Sequence, residues 1–134
     1  MAELAHLDAQ RVLTVAQSEL DRQGLGAAVA VVDAHGELVA FVRTDGCPRP
    51  SINNSINKAY TAARERRPSR AIGDAARTEQ FPITNFGDLR YTGWGGGVPI
   101  EIDGVIVGAV GVSGLPEADD VTIATNAAAV LSSR

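Results

Sequence analysis

Three adjacent glycines, Gly95–Gly97, stand between the only tryptophan of the chain, Trp94, and a run of strand-forming residues. Each glycine loses more conformational freedom on folding than alanine would, at a cost of roughly 0.5–1 kcal/mol, so a close approach to the backbone is expected to offset that cost. Two interpretations are about equally favoured. The backbone N–H groups could bind an anionic or polar ligand, or the segment could pack tightly against a helix or a neighbouring subunit.

Lys58 is the candidate base, because it lies in the segment SINNSINKAYTAAR beside apolar helical positions. Asn54 and Lys58 share one stripe of the predicted helix. A lysine in such a position can bind a carboxylate, or can act as a base when desolvation favours its neutral form. In a catalytic site Asp45 or Glu101 would be its partner, and the N–H groups of Gly95–Gly97 would hold an oxyanion. The alternative is a surface lysine that pairs with Asp45 or Glu65.

Other charged residues could shape the same site. Arg43 and Asp45 lie two residues apart at the end of a predicted strand, so both side chains project to one face if the strand continues. They could anchor the acid group of a ligand, but an ion pair within the chain, with Lys58 included, is the favoured interpretation. Glu101 alternates with two isoleucines and therefore points away from their face.

Imidazole and thiol chemistry has little support in the sequence. The two histidines, His6 and His35, lie in segments expected to be exposed, so ordinary surface histidines are favoured over metal ligands. The pattern shows no cluster of His, Cys and Asp with metal-ligand spacing, and we expect no metal site. No histidine is placed by the sequence to activate Cys47, which makes a nucleophilic cysteine a minority interpretation.

Length and composition predict one folded domain over residues 1–134, with 45% hydrophobic and 21% charged residues. The formal net charge of −4 argues against nucleic acid or an anionic membrane as the main partner. No apolar run approaches the roughly 20 residues that a membrane helix needs, and the first residues lack the pattern of a signal peptide. We therefore expect a cytoplasmic protein.

The hydrophobic pattern predicts eight elements in the order α-β-β-α-α-β-β-α. Helices are expected over residues 8–23, 51–66, 70–78 and after Pro116, and strands over residues 27–32, 38–42, 98–102 and 105–112. An Asp-Gly pair at 103–104 between two apolar runs is a strong hairpin signal. Two hairpins separated by helices predict an α+β fold with a mostly antiparallel sheet and helices packed on it. Residues 79–93 lack a sustained period and are predicted to form a loop.

Three segments, AVAVVDAHGELVAFVRTDG, SINKAYTAARERRP and GGGVPIEIDGVIVGAVGVSG, resemble the GlcG/HbpS-like family of haem-binding or haem-degrading proteins. The family includes the C-terminal domain of PduO-type proteins, and the resemblance extends over residues 8–131. It implies a profilin-like α+β fold, haem as a candidate cofactor with no other cofactor, and assembly into homo-oligomers from dimers to octamers. These motifs are specific for the fold and weak for activity.

The loop before the glycines carries bulky side chains that could line a pocket for a flat ligand. The predicted ligand-binding residues are Arg43, Asn54, Phe86, Tyr91, Trp94, Gly95, Gly96, Gly97, Val98 and Pro99. With the resemblance, they favour a small-molecule-binding oligomer whose pocket lies between the glycine loop, the Lys58 helix and a neighbouring subunit. Two alternatives stay open: a cofactor-independent lyase, isomerase or hydrolase acting on a small aromatic or acidic metabolite, and an oligomeric scaffold protein.

Overall fold

The computed structural model describes residues 3–132. Within them, helices and strands follow the predicted order α-β-β-α-α-β-β-α, which confirms the α+β class. The helices are α1 (His6–Gln23), α2 (Pro50–Glu65), α3 (Ser69–Glu79) and α4 (Glu117–Ala128), and the strands are β1 (Ala28–Asp33), β2 (Leu38–Arg43), β3 (Gly97–Ile102) and β4 (Val105–Ser113). None of the helices in this part of the chain is long and apolar enough to cross a membrane.

The four strands form one antiparallel sheet in the order β2-β1-β4-β3. The two predicted hairpins, β1–β2 and β3–β4, are both present, and pairing of β1 with β4 joins them. In the turn of the second hairpin Asp103 and Gly104 adopt φ values of 52° and 78°. Positive φ at both central residues is the geometry that makes Asp-Gly a favourable hairpin turn.

Helices cover both faces of the sheet. Val29 and Val31 of β1 face a larger core that also holds side chains of α1 and α4, whereas the alternate residues of β1 face a smaller core with the alanines of α2. Burial on both faces explains why β1 reads as a continuous apolar run without polar alternation. The fold therefore places α1 and α4 in one helical layer and α2 in the other.

Two local expectations need correction. Helix α1 begins at His6, two residues before the predicted start at residue 8, so Asp8 lies in its first turn. The predicted loop over residues 79–93 contains the last residue of α3 and a short 3-10 turn, Ile83–Phe86. Within that turn the Asn85 N–H donates to the Pro82 carbonyl oxygen at 3.0 Å. Such single turns carry too little periodicity to be seen in a hydrophobic pattern.

Candidate functional site

The candidate site is centred on a buried ion pair between Lys58 of α2 and Asp120 of α4. Lys58 Nζ lies 3.1 Å from Asp120 Oδ2 and donates to the Val112 carbonyl oxygen at 2.9 Å. The two residues are only 3% and 2% exposed. Burial raises the pKa of the Asp120 carboxyl, while the adjacent Lys58 ammonium lowers it. Because desolvation makes a buried ion pair weak evidence for stability, such a pair is a candidate for function.

Lys58 is also the only lysine among the 12 lysine and arginine residues of the chain. An ammonium is compact and can turn its three N–H donors toward different acceptors, whereas a guanidinium is a wide planar fork. Here the Lys58 ammonium donates to two acceptors on different segments, Asp120 Oδ2 and the Val112 carbonyl oxygen. The amine at this position is therefore chemically distinct from every other cation in the sequence.

The glycine segment, residues 95–97, carries no side chain that would block the contact between Lys58 and Asp120. A Cβ at Gly96, where φ is 127°, would lie 3.0 Å from Lys58 Nζ, and a Cβ at Gly97 would overlap the Lys58 carbonyl oxygen. Lys58 and Asp120 belong to different helical layers, so the backbone between them must carry no side chain. These contacts support close packing against a helix of the same chain, one of the two interpretations drawn from the sequence.

Two N–H groups of the glycine segment already have acceptors. The Gly95 N–H donates to Glu117 Oε2 at 2.6 Å, and the Gly97 N–H donates to Ser69 Oγ at 2.9 Å. The other carboxylate oxygen of Glu117 accepts a hydrogen bond from Arg70 at 2.8 Å. An anion could reach the Gly95 N–H only by displacing a carboxylate that is itself neutralised.

A solvent-open cleft of about 240 Å³ lies over the ion pair. Its lining includes Ser51, Asn54 and Lys58 from α2, Ser113 at the end of β4, Glu117 and Asp120 from α4, and Trp94. Ser51, Asn54 and Lys58 recur at i, i+3 and i+7, which places them on one face of α2. The cleft is therefore built where the first half of α2, the β4–α4 connection and the start of α4 converge.

The cleft brings together some of the predicted site residues. Asn54, Lys58 and Trp94 line it, and the segment Gly95–Gly97 supports the ion pair. Trp94 is 62% exposed and also lines a second cavity of about 300 Å³ beside α3. The tryptophan thus stands at the boundary between the two openings.

The predicted partners of Lys58 lie elsewhere. Asp45 is exposed in the turn after β2, Glu101 is exposed on β3, and Arg43 is exposed at the end of β2. Within residues 3–132 none of the three lines the cleft or forms an ion pair or hydrogen bond with Lys58. The structure gives Lys58 a different partner, Asp120, because the first turn of α4 reaches α2 past the glycine segment.

The other predicted residues pack against the chain outside the cleft. The rings of Phe86 and Tyr91 stack with centroids 4.6 Å apart. The Tyr91 hydroxyl donates to Glu65 Oε2 at 2.6 Å, and burial together with this bond raises the pKa of Tyr91 to about 12. Val98 and Pro99 are half-buried in β3. These side chains hold the loop onto α2 and extend the sheet.

Four residues of the cleft were not among the predicted site residues: Ser51, Ser113, Glu117 and Asp120. A signal for Asp120 was available, because Asp120, Ile123 and Ala127 lie on the inward stripe of the last helix at i, i+3 and i+7. An acid on an apolar stripe needs a buried partner. Ser51 could have been found from its spacing of seven residues before Lys58.

Haem iron is usually held by His, Cys, Met or Tyr side chains, and no such side chain lines the cleft. His6 and His35 are exposed and lie outside the lining. Cys47 also lies outside it, and burial raises the pKa of its thiol. The cleft volume of about 240 Å³ is below the roughly 300–1,000 Å³ of typical ligand pockets. The cleft of one chain therefore does not fit haem.

Over residues 3–132, no group of three or more His, Cys, Asp or Glu side chains is arranged to hold a metal ion. The chemistry that the cleft offers comes instead from hydroxyl, amide, amine and carboxylate groups.

Comparison with known proteins gives consistent matches over most of the chain. A family model described as "Haem degrading protein HbpS-like" matches residues 4–129. Protein GlcG of Escherichia coli K12 is 36% identical over 105 residues, which are 78% of this chain and 77% of that protein. A double mutant of Streptomyces reticuli HbpS superposes with a TM-score of 0.87 at 27% identity, covering 98% of this chain and 88% of that one. A PduOC:heme complex also superposes with a TM-score of 0.87, covering 96% of this chain and 94% of that one. Its sequence identity of 23% means that this match shows similarity of fold alone.

Proposed function

This chain belongs to the HbpS-like family, and on that premise we propose that it is an oligomeric small-molecule-binding protein whose ligand occupies the cleft over the Lys58–Asp120 pair. The observation that carries the proposal is the position of this pair, buried at the floor of an opening to solvent. A pair needed only for stability can often be replaced by apolar side chains without loss. Its position beside a cleft favours a role in binding.

The amine of Lys58 has binding capacity left. An ammonium carries three N–H donors, and two of them are used by Asp120 Oδ2 and the Val112 carbonyl oxygen. Among residues 3–132 the third donor has no acceptor. A ligand oxygen in the cleft would complete the hydrogen bonding of Lys58 without breaking the ion pair.

A haem site is proposed only for the oligomer, where two subunits meet. The family description names haem degradation, and the related PduOC structure contains heme. Because the cleft of one chain lacks an axial ligand and is small, a haem site in this protein has to be completed by a neighbouring subunit.

The test is a titration of the purified oligomer with haem and with a panel of small metabolites. Analytical ultracentrifugation would establish the oligomeric state, and a stable monomer at micromolar concentration would contradict the assembly. We expect saturable binding that is weakened in Lys58→Met and unchanged in Arg11→Met, an exposed cation on α1. Binding that is equal in both variants would refute the placement of the ligand in the cleft.

A second candidate function, proton transfer by a cofactor-independent enzyme, is favoured by one observation. Burial raises the pKa of the Asp120 carboxyl next to an amine, and two coupled groups of this kind are typical of acid–base sites. In this version Lys58 and Asp120 act together, and Asp45 and Glu101 take no part in the proton transfer. Asp120→Asn should then abolish turnover of any substrate found in the panel, whereas Asp45→Asn should leave it unchanged.

A further inference from the structure

Two serine hydroxyls in the cleft have no hydrogen-bond partner among the described residues. Ser51 is 6% exposed and Ser113 is 5% exposed, and both line the cleft. Neither Oγ takes part in a hydrogen bond with any of residues 3–132. No fully enclosed side-chain oxygen in that range lacks a partner, so neither hydroxyl oxygen is fully enclosed, and both residues line the cleft. Polar groups of nearly buried side chains are normally hydrogen-bonded, so these two are available for a ligand.

The remaining free groups of the cleft can also donate hydrogen bonds. Asn54, one turn from Ser51, carries a side-chain amide with no hydrogen bond to the described residues, and Lys58 has its third N–H. The two carboxylates are already used: Asp120 accepts from Lys58 and from the Leu115 N–H. The second carboxylate, that of Glu117, accepts hydrogen bonds from the Gly95 N–H and from Arg70. Every free group of the cleft can therefore donate a hydrogen bond, Lys58 adds a positive charge, and both carboxylates are already compensated.

From this arrangement we infer that the ligand carries a carboxylate, which accepts hydrogen bonds from Ser51, Ser113 and Asn54 with Lys58 as the nearby positive charge. The inference rests on the proposed function, since it names the chemical class bound in the same cleft. The first turn of α2 contains no acidic residue and no side-chain cap, so its positive end is not neutralised there. The Ser51 N–H itself donates to the Pro48 carbonyl oxygen, which leaves recognition to the side chains.

The experiment uses Trp94 as the reporter, because it is the only tryptophan and lines the cleft. Acetate, succinate and benzoate are titrated against the full chain, each beside its amide: acetamide, succinamide and benzamide. The same titrations are run on Ser51→Ala, on Ser113→Ala and on Ser18→Ala, a serine on the exposed side of α1 that serves as the matched control. Circular dichroism verifies that each variant is folded.

We expect at least one carboxylate to bind tenfold more tightly than its amide. Loss of a hydrogen bond to a charged group reduces affinity by roughly tenfold or more, so Ser51→Ala and Ser113→Ala should each weaken that binding while Ser18→Ala leaves it unchanged. Amides that bind as well as carboxylates, or serine variants that bind normally, would overturn the inference and leave the proposed function standing. If neither the panel nor haem perturbs Trp94 or binds by calorimetry, both proposals fail.

Discussion

Substitution of one member of the Lys58–Asp120 pair is expected to lower the free energy of unfolding more than substitution of both members. Lys58→Met keeps most of the side-chain length and leaves the Asp120 carboxylate buried beside the Leu115 N–H without its cation. Removal of one partner of a buried ion pair costs about 3–5 kcal/mol. For a domain of this length that corresponds to a fall in Tm of roughly 10–20 °C. Asp120→Asn should cost a similar amount, because the ammonium is then unpaired.

The double variant Lys58→Met/Asp120→Asn carries no buried charge, and the asparagine still offers an oxygen to the Leu115 N–H. The Val112 carbonyl oxygen loses its amine donor, and such a loss costs about 1–3 kcal/mol. The sum of the single changes should therefore exceed the double change by about 3 kcal/mol or more. Urea unfolding followed by circular dichroism measures all four proteins of the cycle. Asp74→Asn, which removes an exposed ion-pair partner on α3, serves as the control and should have a far smaller effect.

The pH dependence gives an independent check. The folded pKa of Asp120 is already raised by burial, and loss of the Lys58 cation removes an influence that lowers it. A raised folded pKa means that stability is greatest below the unfolded pKa near 3.8 and is lost as the pH rises through the folded pKa. The deficit of Lys58→Met relative to wild type should therefore shrink as the pH falls from 7 toward 4. Additive single effects, or a deficit that is constant with pH, would refute a coupled buried pair.

Two further predictions concern the glycine segment and the loop beside it. Gly97→Ala should destabilise the fold by more than about 2 kcal/mol, because its Cβ would overlap the Lys58 carbonyl oxygen. Gly46→Ala, where a Cβ meets nothing within 4 Å but φ is 86°, should cost only about 1–2 kcal/mol, and equal losses in denaturant unfolding would argue against the close contact. The pKa of Tyr91 is raised to about 12, so its ultraviolet titration should have a midpoint near 12 and the free energy of unfolding should decrease as the pH rises from 10 to 12. Glu65→Gln should lower that midpoint only in part, because burial is the largest cause; a wild-type midpoint near 10 would contradict the packing of this loop.

Much of the fold was readable from the sequence because its signals are local. The Asp103-Gly104 turn between two apolar runs specifies a hairpin through the backbone preferences of two residues. The continuous apolar run of β1 follows from burial on both faces of the sheet. The 3-10 turn at Ile83–Phe86 was not predicted, because four residues are too few to show a hydrophobic period.

The site was predictable only in part, for a physical reason. Helical periodicity placed Lys58 and Asn54 as neighbours on one face of a helix. The conformational cost of three adjacent glycines indicated a place of close approach. Periodicity could not show which charge Lys58 would meet, because Asp120 lies 62 residues further along the chain and on a different helical layer. That contact depends on how α2 and α4 pack around the start of β3. The sequence by itself therefore determined the elements and the faces they bury. Only the tertiary structure decided that Lys58 pairs with Asp120 beneath an open cleft, because desolvation and ion pairing depend on distances between segments that are remote in sequence.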